Sequence, residues 1–249
     1  MKRRNCLLGG LGAVVWPALA QALEPFELAR ARAAYLERIA AIRRDGTLPI
    51  IDVESSYNPL TIDLPSFVET MDRMGIAQMC ASADQPGSLV RQGQSWSDHS
   101  LEAYRAYPRH FIPVGNGGNH PAWTESPDRF LDANEQYMLR DGYPMMGEFE
   151  FRHYPSPRQV QRNETYRDVR IPIDGPQGHR LFAFAARTGL AFQIHYEIED
   201  ALLDPLESML RQYPRARVIW CHVDQIRYAA RGGRYTPRML ADWMDKYPN

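Results

Sequence analysis

The feature that most constrains this 249-residue chain is a unit that repeats along it. A short, nearly unbroken apolar run leads into a polar loop and then into a segment with apolar residues at helical spacing. The runs are Leu48-Pro49-Ile50-Ile51-Asp52-Val53, Ile76-Ala77-Gln78-Met79-Cys80-Ala81, Phe111-Ile112-Pro113-Val114, Met145-Met146-Gly147-Glu148-Phe149-Glu150-Phe151, Leu190-Ala191-Phe192-Gln193-Ile194 and Arg217-Val218-Ile219-Trp220-Cys221. The intervening helices are expected at about 65–74 (stopped by Gly75), 97–107, 128–139, 181–188, 201–213 and 237–246. Continuous rather than alternating apolar strands, each followed by a helix, point to a parallel sheet covered on both faces.

A closed βα barrel and an open doubly wound sheet both fit that alternation. No G-x-G-x-x-G follows the first strand and no G-x-x-x-x-G-K-[ST] occurs, which disfavours the nucleotide-binding sheets. Gly115-Asn116-Gly117-Gly118 is expected to be a tight turn.

The chain ahead of the first strand divides in two. Residues 1–22 combine a basic start, Lys2-Arg3-Arg4, with an uncharged apolar stretch and a small-residue end, Ala18-Leu19-Ala20-Gln21-Ala22. That is the pattern of a cleaved export signal, and the Arg3-Arg4 pair resembles a twin-arginine signal. A periplasmic location is expected, with no membrane association after cleavage. Residues 23–47 are expected to form an N-terminal helix closed by Gly46, and 48–249 the domain built from the repeating strand–helix units. The 29 basic and 30 acidic groups leave no positive excess for a nucleic-acid partner. Cys6 lies in the signal, and Cys80 and Cys221 in apolar runs are expected to be buried thiols with no cysteine-based metal spacing.

In either architecture the chemistry belongs at the C-terminal ends of the strands. Those ends carry Asp52 and Glu54, Asn116 and His120, Glu148 and Glu150, His195 and Glu197, and His222 and Asp224. Carboxylates and imidazoles converging on one face are ligand types for zinc or a similar divalent ion. One strand-end histidine is more often a structural hydrogen-bonding residue. Two on consecutive strands favour a shared site.

Ile194-His195-Tyr196-Glu197, Val218-Ile219-Trp220-Cys221-His222-Val223 and Met146-Gly147-Glu148 resemble strands five, six and four of the amidohydrolase superfamily. The similarity is to its amidohydrolase-related branch, and Met71-Asp72-Arg73-Met74-Gly75-Ile76 and Tyr107-Pro108-Arg109-His110-Phe111 support it. It extends over about residues 49–249. The resemblance implies a (β/α)8 TIM-barrel holding a divalent metal, here incomplete at about six strand–helix units and preceded by an extra helix. It implies a metal-dependent hydrolase acting on a small ester, lactone, amide or carboxylate, or a decarboxylase of the same group. His195 and Glu148 carry over as metal ligands, and His222 as a ligand or the catalytic proton-transfer group. Where the family has His-x-His, the sequence has Glu54 and Ser56. Glu54 keeps a carboxylate for the metal, whereas the Ser56 hydroxyl is a weak ligand. The family's eighth-strand Asp has no counterpart before Asn249. These departures raise a second expectation, a non-catalytic relative or a fragment that has lost its metal.

Two expectations concern what surrounds the site. Arg227 and Arg231, with Arg234 and Arg238, follow His222 and could clamp a substrate carboxylate or form a solvated loop. The polar stretch 152–178 reads as a lid or a surface insertion. An incomplete barrel leaves its first and last strands as open edges, which a second copy of the chain could cover.

Overall fold

The computed structural model describes residues 26–59, 61–83, 96–118, 120–223 and 233–249. The export-signal expectation lies outside them. Helix α1 (Leu28–Arg44) occupies most of the stretch expected to be helical before the first strand. The sheet comprises β1 (Ile50–Tyr57), β2 (Ile76–Ala83), β3 (Phe111–Gly115), β4 (Met145–His153), β5 (Val169–Arg170), β6 (Ala191–Tyr196) and β7 (Arg217–Cys221). Between them lie α2 (Leu64–Met74), α3 (Trp96–Ala106), α4 (Ala122–Glu125), α5 (Pro127–Asp141), α6 (Pro157–Gln161), α7 (Pro176–Thr188), α8 (Asp200–Gln212) and α9 (Pro237–Lys246).

Local signals set these boundaries. Asp63 caps α2 by accepting from Ser66 N at 3.1 Å, Pro65 fills its first turn, and Gly75 ends it with φ 74°. Helix α7 begins earlier than expected, at Pro176, because Pro is favoured in a first helical turn and Gly178 is tolerated there. The first strand begins at Ile50 rather than Leu48 and runs on to Tyr57.

Six strands pair in parallel in the order β1-β2-β3-β4-β6-β7, and β5 adds antiparallel to the end of β4. The sheet curls. Gln193 on β6 reaches across to donate to Val53 O of β1 at 2.5 Å, and His222 after β7 lies 3.8 Å from Glu54 of β1. The architecture is therefore an incomplete TIM-type barrel, and among the described residues no ladder joins β1 to β7.

Side chains pack on both faces of the sheet. Cys80, Val114 and Met145 meet Ala191 and Ile219 in the lumen. On the outer face Phe149, Phe151 and Phe192 pack with Trp123 and Phe182 from the helices. Cys80 and Cys221 are buried free thiols. At the edge strand β1, Ile50, Ile51 and Val53 stay 43–46% exposed, as an open edge predicts.

The polar stretch 152–178 departs from a simple loop. Strand β4 continues through His153, and β5 pairs back onto it at Arg152↔Arg170 and His153↔Val169. The buried Arg152 guanidinium ties the two together by donating to Asp168 at 2.7 Å and to Val169 O at 2.9 Å. Among the described residues, no helix is long and apolar enough to cross a membrane.

Candidate metal centre

A register break in β4 builds the site. Its pairing with β6 shifts between Met146 and Phe149, so the strand carries one extra residue there. Met145 faces the lumen, and simple alternation would then turn Gly147 and Phe149 inward. The bulge instead turns Glu148 and Glu150 inward and sends Phe149 and Phe151 to the outer core. Gly147 adopts φ 144°, and a Cβ there would lie 2.5 Å from Cβ of Gln193. The expected glycine-rich turn proves to be a close-approach surface. A Cβ on Gly117 would fall 2.2 Å from Glu148 O, and Gly118 O accepts from Glu150 N at 2.8 Å.

Glu148 sits between two histidines. Its Oε2 is 3.1 Å from His195 Nδ1, and its Oε1 is 3.0 Å from His222 Nε2. The second approach is off hydrogen-bond alignment, so Oε1 is buried without a hydrogen bond. The imidazoles of His195 and His222 lie 4.8 Å apart, and His222 holds the left-handed backbone region at φ 60°. Behind His195, Glu197 Oε1 is 3.3 Å from Nε2 and accepts from Tyr154 N at 3.3 Å.

Electrostatics follow from that arrangement. Burial disfavours the Glu148 charge, but His195 and His222 outweigh it and hold the carboxyl down at about 2. Burial likewise opposes charge on His195, while Glu148 and Glu197 raise it to about 9. Glu54 moves the other way, because burial and then the Glu148 charge both raise its carboxyl.

One ligand atom each from Glu148, His195 and His222 lies within 4.8 Å of the others. Tetrahedral bonds of zinc length place neighbouring donors about 3.3 Å apart, close to the two contacts at Glu148. The buried Oε1 that lacks a hydrogen bond is what a cation would satisfy. The donor set thus fits a divalent ion, with Glu197 fixing the far nitrogen of His195.

Of the residues expected at the site, Glu148, His195 and His222 come together. Glu54 flanks them, its Oε2 3.8 Å from His222 Nε2. Glu150 instead pairs with Arg167 at 2.5 and 3.2 Å. Asp52 accepts from Glu54 N and Ser55 Oγ within its own strand. The Asn116 carbonyl accepts from Asn134 at 3.3 Å. His120 bonds Thr124 and stacks on Tyr166 at 4.5 Å. Ser56 is exposed. Asp224, Arg227 and Arg231 lie outside the described residues. Arg234 is engaged by Asp204 and Asp200, and Arg238 by Asp242.

His153 and Arg167 were not expected at the site. The His153 ring lies 4.6 Å from His195, Nδ1 is 2.7 Å from Arg167 O, and burial chiefly lowers the imidazole to about 4. A cleft of about 380 Å³, lined by Arg152, Tyr154, Tyr196, Glu199, Leu202 and Pro205, lies beside the β4–β6 pair.

No protein-family model matches the chain, and no curated protein matches it. Solved structures do. An uncharacterised TIM-barrel protein of Bordetella bronchiseptica aligns at 18% identity and TM-score 0.49, over 91% of this chain and 71% of that one. A 2,6-dihydroxybenzoate decarboxylase complexed with 2,6-dihydroxybenzoate aligns at 14% and 0.47, over 70% and 67%. A 4-oxalomesaconate hydratase from Rhodopseudomonas palustris aligns at 12% and 0.45, over 80% of this chain and 60% of that one. All three TM-scores fall below 0.5, so the barrel assignment rests on strand order and register.

Proposed function

We propose that the chain is a divalent-metal-dependent enzyme of the amidohydrolase type that acts on a small organic ester, lactone, amide or carboxylate. The observation that carries this reading is the Glu148 carboxylate between His195 and His222, with a buried oxygen that lacks a hydrogen bond. The resemblance of the strands bearing these residues points to the same family. Glu148, His195 and His222 bind the ion, and zinc is the first choice for two imidazoles and a carboxylate. A bound divalent ion supplies Lewis-acid polarisation of a substrate oxygen or of water.

The remaining steps belong to the protein. Glu197 holds His195 so that Nδ1 faces the centre. His222 joins the ligand set, one of the two roles the resemblance allows. That leaves Glu54, raised by burial and by Glu148, as the carboxyl that adds charge on the open side and holds or passes a proton at Oε2. The proposal keeps export to the periplasm and a small-molecule partner.

The test is a screen of esters, lactones and aromatic carboxylates with zinc-loaded and zinc-free protein. Turnover that needs zinc and is lost in Glu148→Gln supports the reading. Turnover that survives Glu148→Gln contradicts it.

A non-catalytic relative is a second reading, favoured by the exposed Ser56 at a position where the family supplies a histidine. If activity appears only in a Glu54→His, Ser56→His variant, that reading gains; if the unaltered chain turns over substrate, it fails.

A further inference from the structure

Among the described residues, strands β1 and β7 end the sheet and no backbone ladder joins them. Yet Glu54 of β1 comes within 3.8 Å of His222 after β7. Something other than direct strand pairing must set that distance. The geometry points to Gln193 of β6 as a positioning residue that holds Glu54 on the open side of the metal centre. The inference rests on the metal-centre reading above and assigns a residue which that reading does not use.

Gln193 lies two residues before His195, so both side chains face the lumen. It is 1% exposed, and its Nε2 donates to Val53 O at 2.5 Å. Val53 immediately precedes Glu54. The same side chain presses against Gly147, where a Cβ would lie 2.5 Å from Cβ of Gln193 and 2.7 Å from Oε1. Gly147 immediately precedes Glu148. One buried amide therefore touches the residue before each of two carboxylates, one layer beneath them.

A methionine would fill nearly the same volume. What the amide adds is a bond to the β1 backbone, made across the lumen. Asp52 fixes the next link, accepting from Glu54 N at 3.1 Å and Ser55 Oγ at 2.6 Å. The bond to Val53 and the Asp52 turn together leave Glu54 little freedom to swing from the centre.

A double-mutant cycle on zinc affinity in the full chain, read by chelator competition, tests this. Gln193→Met and Glu54→Gln should each weaken zinc binding by about tenfold, and the double variant should be no weaker than either single one. Its melting temperature, by contrast, should fall below that of Glu54→Gln alone, because the lost bond to Val53 is separate from the Glu54 charge. Gln193→Asn, which keeps an amide but falls a methylene short, should bind zinc like Gln193→Met. Wild-type affinity in both Gln193 variants, or losses that multiply to about a hundredfold in the double variant, overturns the inference and leaves the metal centre standing. Absence of zinc binding in the unaltered chain removes the metal centre and the inference with it.

Discussion

The Glu148 carboxylate and the His195 imidazole, brought together from β4 and β6, lie 3.1 Å apart and shift each other's ionisation in opposite directions. In the metal-free protein this couples stability to pH. His195 is raised to about 9, so its contribution is fully present below its ordinary value and is lost as pH climbs through 9. Glu148 is lowered to about 2, so its contribution is present above its ordinary value and is lost as pH falls toward 2. The melting temperature of metal-free protein should therefore be highest between about pH 4.5 and 6.5 and fall by about 5 °C on either side. Glu148→Gln should flatten the alkaline limb. A profile unchanged by that substitution would contradict the pairing.

Glu197 supports the ring nitrogen of His195 that faces away from Glu148. Removing its charge in Glu197→Gln should weaken metal binding by about 10–100-fold while the circular dichroism spectrum stays unchanged. Undiminished affinity would show that His195 is held by packing alone.

Glu150 is 5% exposed and depends on Arg167 for its partner. Arg167→Met should destabilise the fold by about 3 kcal/mol in urea unfolding, because a buried carboxylate loses its counter-charge. Adding Glu150→Gln should recover part of that loss. Strictly additive losses would place the two residues in separate environments.

The bulge depends on a residue without Cβ at position 147. Gly147→Ala should cost about 2 kcal/mol or more and abolish metal uptake, since relieving the contact with Gln193 shifts Glu148. Retained uptake would mean that the bulge is not what aims Glu148.

Open edge strands predict association. With Ile51 and Val53 43% and 46% exposed on β1, the chain should self-associate with rising concentration in light scattering. Ile51→Lys with Val53→Lys should shift it toward the monomer. A wild type that stays monomeric at all concentrations would count against a self-paired edge.

The parallel sheet was legible in the sequence because strands covered on both faces are apolar throughout, as in Phe111-Ile112-Pro113-Val114 of β3, and its barrel form came from the resemblance of the strand-end motifs. Strand ends then located His195 and His222 without structural knowledge. The resemblance singled out Glu148, but the pattern of Met145-Met146-Gly147-Glu148-Phe149-Glu150-Phe151 could not say whether its two carboxylates face the histidines or the outer core. Either parity is possible until the bulge is placed, and the bulge depends on contact with Gln193, 46 positions after Gly147 in the numbering. His120 shows the opposite error. It stands just after a strand, but a short helix draws its ring to Thr124 and Tyr166. Arg167 was invisible because it returns to β4 from a polar stretch whose pairing leaves no periodic trace. The alternation of Glu148, Glu150 and Arg152 was the available sign that β4 continues.

The most direct test of the account is the metal stoichiometry of the purified chain, measured by elemental analysis of a monodisperse fraction after zinc loading, beside His195→Ala and Glu148→Gln. The account predicts about one ion per chain in the unaltered protein and little in either variant. A folded, monodisperse wild type without bound zinc, or equal zinc in all three proteins, would contradict it.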